Sequence, residues 1–227
     1  MTTTNNSLTS STGYPARLEI DYPEKLDRLT TFFRILWIIP IAIIVGLVSG
    51  AGETVTNTVF LNEAGEVIRS TRDTIGGMAA GLASATGLMI LFTRTYPRWW
   101  FDFSRELTRF EYRVGAYAGL MTDQYPSVIE EQSIHLEIDY PDVEKDLGRW
   151  MPVFKWFLAI PHYIVLAFLS VGAMFAVIFA WFAILFTGIY PRALFEYNVG
   201  VSRWWLRVAA YTTLLVTDQY PPFSLDA

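Results

Sequence analysis

Leu18-Glu19-Ile20-Asp21-Tyr22-Pro23 returns as Leu136-Glu137-Ile138-Asp139-Tyr140-Pro141. Leu91-Phe92-Thr93 with Tyr96-Pro97-Arg98 returns as Leu185-Phe186-Thr187 with Tyr190-Pro191-Arg192. Thr122-Asp123-Gln124-Tyr125-Pro126 returns as Thr217-Asp218-Gln219-Tyr220-Pro221. Three matches in one order predict a structural unit written twice, since repeated units bury their apolar faces on each other. The motifs place a polar, disordered tail at 1–13, a first unit at 14–128 and a second at 133–223.

Each unit opens on an alternating stretch. Leu18, Ile20 and Tyr22 oppose Arg17, Glu19 and Asp21, and Leu136, Ile138 and Tyr140 oppose His135, Glu137 and Asp139. Period-two alternation predicts a short, half-buried strand in each unit. Long apolar runs follow, over about 32–48 and 76–92 in the first unit and over 153–186 in the second. Apolar residues make up 52% of the chain and the mean hydropathy is +0.31, which indicates a membrane protein. The run over 153–186 would outreach a hydrocarbon core of about 30 Å as a single helix. A turn is therefore expected at Ser170-Val171-Gly172, giving a helical hairpin in each unit and four crossings in all.

After each hairpin comes an amphipathic stretch that starts behind a proline. In the first, Trp99, Phe103, Leu107, Phe110 and Val114 oppose Arg98, Asp102, Arg105, Arg109 and Arg113. That pattern predicts a helix lying in the membrane interface. The expected fold is all-α and membrane-embedded. It has two parallel repeats of a transmembrane hairpin, each with an N-terminal strand and a C-terminal interfacial helix. Lys25, Arg28, Arg34, Arg94, Arg98, Arg105, Arg109, Arg149, Lys155 and Arg192 fall on one side, which predicts cytoplasmic termini. An insertion over about 50–77, read as two strands around a turn at Asn62-Glu63-Ala64-Gly65, would face outward.

Lipid or partner contact is expected of Arg98, Arg109 and Arg113 and of their counterparts Arg192, Arg203 and Arg207, because arginine at an inner interface attracts anionic headgroups. Gly77, Gly81 and Ala85 recur every four residues and predict close helix packing. His162 follows a proline at the start of an apolar run and reads as a packed histidine rather than a ligand, since His135 lies on a polar strand. The acids Glu19, Asp21, Glu137 and Asp139 would gather and could bind a hard cation if the strands paired, but a solvated strand face explains the same residues and is the reading preferred. The chain has no cysteine, which excludes disulfides and thiolate chemistry. The net charge of −5 gives no reason to expect nucleic acid. No phosphate loop, nucleophile elbow or zinc motif is present, and no cofactor is expected.

The second unit carries Ile160-Pro161-His162, Trp181 through Gly188, Arg203-Trp204, Arg207 through Tyr211, and Thr217 through Phe223. It resembles the bacterial membrane family catalogued as domain of unknown function 4389. The first unit resembles it more weakly, with Ile41 in the place of His162. The resemblance implies a multi-pass protein of the bacterial inner membrane and carries no activity with it. The expected function is a non-catalytic structural or accessory subunit of a larger membrane complex, with lipids and other membrane subunits as partners. The alternative is a small transporter or lipid-binding protein.

Overall fold

The computed structural model describes residues 13–49, 54–61, 67–75, 78–128 and 130–226. The expected disordered tail up to residue 12, the turn over 62–65 and Gly77 lie outside them. β1 (Ala16–Ile20) and β4 (Ile134–Ile138) pair antiparallel, with Leu18 opposite Leu136 at the centre. Alternation decides the faces. Ala16, Leu18, Ile134, Leu136 and Ile138 are buried, while Glu19, His135 and Glu137 stand outward.

Beneath this ribbon lie α3 (Arg98–Ala118) and α7 (Arg192–Thr212). Both begin directly behind a proline, whose fixed φ suits a helix start. Phe101 and Ala116 of α3, Phe195 and Leu206 of α7, and Leu18 and Leu136 of the ribbon share one core. The opposite face is covered by α1 (Arg28–Ser49), α2 (Met78–Thr93), α5 (Met151–Leu158) and α6 (Ile160–Thr187). Between α1 and α2 come β2 (Thr54–Leu61) and β3 (Val67–Ile75), which form an antiparallel hairpin at the expected insertion. The single turn α4 (Val143–Asp146) is capped by Asp142, whose carboxylate accepts from the Glu144 amide.

One expectation fails. No turn occurs at Ser170-Val171-Gly172, because α6 runs unbroken through it for 28 residues. The break falls earlier, at Ala159, just before Pro161. Ser170 and Gly172 serve packing instead. Trp205 Nε1 donates to Ser170 Oγ at 3.0 Å, and a Cβ on Gly172 would meet the Tyr197 hydroxyl at 2.6 Å. A residue that looks like a hinge is thus a place where an aromatic ring sits close to the helix backbone. Among the described residues, Arg28–Gly46 and Ile160–Thr187 are long and apolar enough to cross a membrane. The apolar part of α2, Gly81–Thr93, is shorter.

α7 runs back along α6 for most of its length. Ile184 shares a cluster with Phe195 near one end. Further along, Tyr197 donates to the Leu169 carbonyl at 2.9 Å, and Tyr163 donates to Thr212 Oγ1 at 3.0 Å near the other end. β1 follows the same line. Tyr22 donates to Tyr190 O, Arg203 to Leu18 O, and Tyr14 to Arg207 O. Charged ribbon, α7 and apolar α6 are therefore stacked as three layers. Only His162, Leu166, Ala176, Ala180 and Ile184 of α6 are buried, and Phe168 and Phe186 are 76% and 78% exposed.

Candidate membrane and partner interface

The aspartate of the repeated Thr-Asp-Gln-Tyr-Pro motif makes the same contacts in both places. Asp123 pairs with buried Arg34 and accepts from the Asp27 amide at 2.7 Å. Arg34 also donates to the Tyr117 and Thr122 carbonyls and lies 4.5 Å over the Tyr117 ring. Asp218 pairs with Lys155 at 2.8 Å and accepts from the Gly148 amide at 2.5 Å. Lys155 donates to the Thr217 carbonyl and lies 5.0 Å from the Tyr211 ring. Read from sequence, Arg34 and Lys155 are charges that flank apolar runs. In the structure they are 3% and 0% exposed, and they tie α1 and α5 to the ends of α3 and α7. A usable signal was present: each cation stands the same distance before a proline, Pro40 or Pro161, and each motif supplies one acid.

The left-handed backbone positions also come in matching pairs. Leu120 (φ 62°) and Leu215 (φ 56°) follow α3 and α7, and Arg94 (φ 51°) and Gly188 (φ 76°) follow α2 and α6. Such a conformation costs a leucine about 1–2 kcal/mol. Crossed hydrogen bonds hold those ends in place. Tyr96 donates to Leu214 O at 3.0 Å, and Tyr190 donates to Gly119 O at 3.3 Å.

The arginines expected to touch lipid or a partner divide into three levels. Arg98 and Arg192 are exposed and lie over Tyr140 and Tyr22 at 4.9 and 5.5 Å. Arg109 and Arg203 are half-buried, and each donates to a ribbon carbonyl, Leu136 O and Leu18 O respectively. Arg113 and Arg207 are 7% and 4% exposed and donate to the Ser127 and Ser224 carbonyls at 2.5 Å. The expectation is corrected for this last pair, whose guanidinium groups close the protein's own loops. Burial lowers both of their pKa values from the ordinary arginine range. Exposed aromatic groups lie on α3, where Trp99 and Phe103 point outward.

His162 is fully buried. Its Nδ1 accepts from Trp204 Nε1 at 3.0 Å, and its ring stacks on Phe223 at 4.0 Å. Ile41, at the corresponding place in α1, is buried too. The strands do pair, but the acids are not left facing one another. Arg17 binds Glu137 and Asp139, and His135 contacts Asp21 at 3.2 Å. Among the described residues no group of three or more His, Asp or Glu side chains could hold a metal ion. Gly81 is exposed with open space at its Cβ position, and Ala85 is partly buried.

These features define a largely helical protein with an apolar layer suited to lipid and a charged ribbon on its other face. Residues 149–224 match the model of the family described as Domain of unknown function (DUF4389), which supports that family for this part of the chain. No curated protein and no solved structure matches the chain.

Proposed function

We propose that the protein is a non-catalytic structural or accessory subunit of a larger membrane assembly in the inner membrane of a bacterium. The observation that carries this reading is its two-faced build. Apolar α1 and α6 cover one side, and the charged ribbon residues Arg17, Glu19, Glu137 and Asp139 cover the other. Such a slab holds to lipid by one face and offers a rigid polar face to a partner. We also read the chain as two copies of one unit, supported by the paired Asp123 and Asp218 sites and by the matching left-handed residues. The test is purification of the full chain in mild detergent, with and without charge reversal at Arg17, Glu137 and Asp139. A co-purifying protein lost on reversal supports the reading, and a free monomer in both preparations refutes it.

The layering also bears on depth. If α6 stood along the bilayer normal, α7 and β1 would run beside it through the hydrocarbon. The outward charges of the ribbon would then sit in lipid, where each costs about 2.5–3.5 kcal/mol at mid-depth. Before any ion pairing, four such charges sum to on the order of 10 kcal/mol. On this reading α6 and the slab beneath it lie along one leaflet, as interfacial helices do. The gathering of lysines and arginines in the flanking loops makes this the cytoplasmic leaflet.

A further inference from the structure

α3 and α7 align residue by residue, and the alignment shows where one has lost what the other keeps. Arg98, Phe101, Asp102 and Arg109 correspond to Arg192, Phe195, Glu196 and Arg203. Between them Arg105 and Glu106 correspond to Val199 and Gly200. In α3 the charges satisfy one another. Glu106 binds Arg109 at 2.7 Å and Arg105 at 3.1 Å, and Arg105 also reaches Asp102 at 3.3 Å. In α7 Arg192 and Glu196 pair at 2.9 Å, but among the described residues no carboxylate lies within ion-pair distance of Arg203. Its Nε donates to Leu18 O.

Val199, in the place of Arg105, faces a pocket. The pocket measures about 320 Å³ between β1 and α7 and is lined by Ile20, Tyr22, Phe195 and Val199 together with Arg192, Glu196 and Arg203. The missing acid cannot be restored on the helix, because a Cβ at Gly200 would meet Leu225 Cβ and Leu225 O at 2.9 Å. The carboxylate that completes the α3 arrangement shows which chemistry the α7 arrangement lacks. Arginine is well suited to receive a carboxylate or phosphate, through a planar fork of donors. Glu196 is already held by Arg192, so a guest's charge is met by Arg203. The apolar walls fit the part of the guest next to its charge.

We infer that the cleft between β1 and α7 binds an anionic oxyacid group through Arg203, and that its guest is the phosphate of an anionic lipid headgroup. The lipid source rests on the membrane reading above, whereas the anion site stands without it. The experiment uses the full chain, delipidated in neutral detergent and examined by native mass spectrometry. Phosphatidylglycerol, phosphatidylcholine and inorganic phosphate are added separately. The wild type is expected to retain one phosphatidylglycerol and to hold phosphatidylcholine more weakly, because the choline cation offsets the phosphate charge that Arg203 meets. Arg203→Gln should weaken retention about tenfold or more. Arg109→Gln, whose target already has Glu106 as partner, should leave it unchanged. If Arg203→Gln does not fold, exposed Arg192→Gln decides, with a loss of severalfold expected. Binding of inorganic phosphate with no lipid retained keeps the anion site and removes its lipid source. Retention that is equal in wild type, Arg203→Gln and Arg192→Gln, or no binding of any probe, overturns the inference.

Discussion

Leu18 and Leu136 face each other across the ribbon, and they are the same position of the repeated Leu-Glu-Ile-Asp motif. The pairing is reciprocal about that point: Ala16 meets Ile138 and Ile20 meets Ile134. The side-chain contacts cross over in the same way. Arg203 of α7 holds β1 and Arg109 of α3 holds β4, while Tyr22 reaches Tyr190 O and Tyr140 reaches Tyr96 O. Reciprocity of this kind is what a two-fold interface shows, and it supports the proposed reading of the chain as two copies of one unit.

The register can be checked directly, because the native chain has no cysteine. Glu19 and His135 are opposite each other on the outer face. Directly opposed residues bring their Cβ atoms to about 4.5–5.5 Å, close to disulfide reach. Glu19→Cys with His135→Cys should cross-link under mild oxidation, as read by altered mobility on a non-reducing gel after proteolysis between the sites. A slip of one residue would turn one of the two side chains inward and prevent the link.

The motif aspartates should matter more than their cations. Asp218→Asn leaves Lys155 charged in a fully buried position, and Asp123→Asn does the same to Arg34. Removing one partner of a buried pair costs about 3–5 kcal/mol. Lys155→Met removes the buried charge itself and leaves the 22% exposed Asp218 side chain within reach of water, so it should cost less. Thermal unfolding of the two variants in the same detergent would show the order. Equal losses, or a larger loss for Lys155→Met, would contradict the order predicted from the buried charge.

Alkaline pH should unfold the protein through its buried phenols. Burial pushes Tyr190 up to about 12, and Tyr14, Tyr96 and Tyr112 are raised further by the same cause. In the unfolded chain tyrosine ionises near pH 10. A group whose folded pKa is raised contributes stability that is complete below the unfolded value. For Tyr190 that contribution declines from about pH 10 and is lost by about pH 12. Circular dichroism against pH should show the loss beginning near pH 10. Tyr190→Phe should lower stability at neutral pH and flatten the alkaline slope.

Alternation was enough to place both strands, and the prolines before Arg98 and Arg192 were enough to place two helix starts. The repeated motifs were legible because they are written in identical residues. The helix break near 170 was misread because Ser170 and Gly172 were judged by local propensity, whereas Trp205 and Tyr197, far along the chain, decide their role. The arginine rows were legible as rows but not as depths. Helical spacing alone does not distinguish Arg113, closed over by the 127 loop, from Arg98, which stays open. The missing partner of Arg203 was invisible until α3 and α7 could be compared contact by contact.

The claim that the slab lies along one leaflet is tested by depth along α6. Ile164, Phe168, Val171, Phe175, Phe179, Phe182 and Phe186 are all exposed, and each can carry a single spin label in this cysteine-free chain. In vesicles, the relative accessibility of each label to oxygen and to a water-soluble nickel complex reports its depth. An in-plane helix should give values that vary only with the helical turn, at about 5–10 Å below the headgroups from one end to the other. A profile that is shallow at Ile164 and Phe186 and deepest near Val171 and Phe175 would show that α6 crosses the bilayer, and would contradict the account.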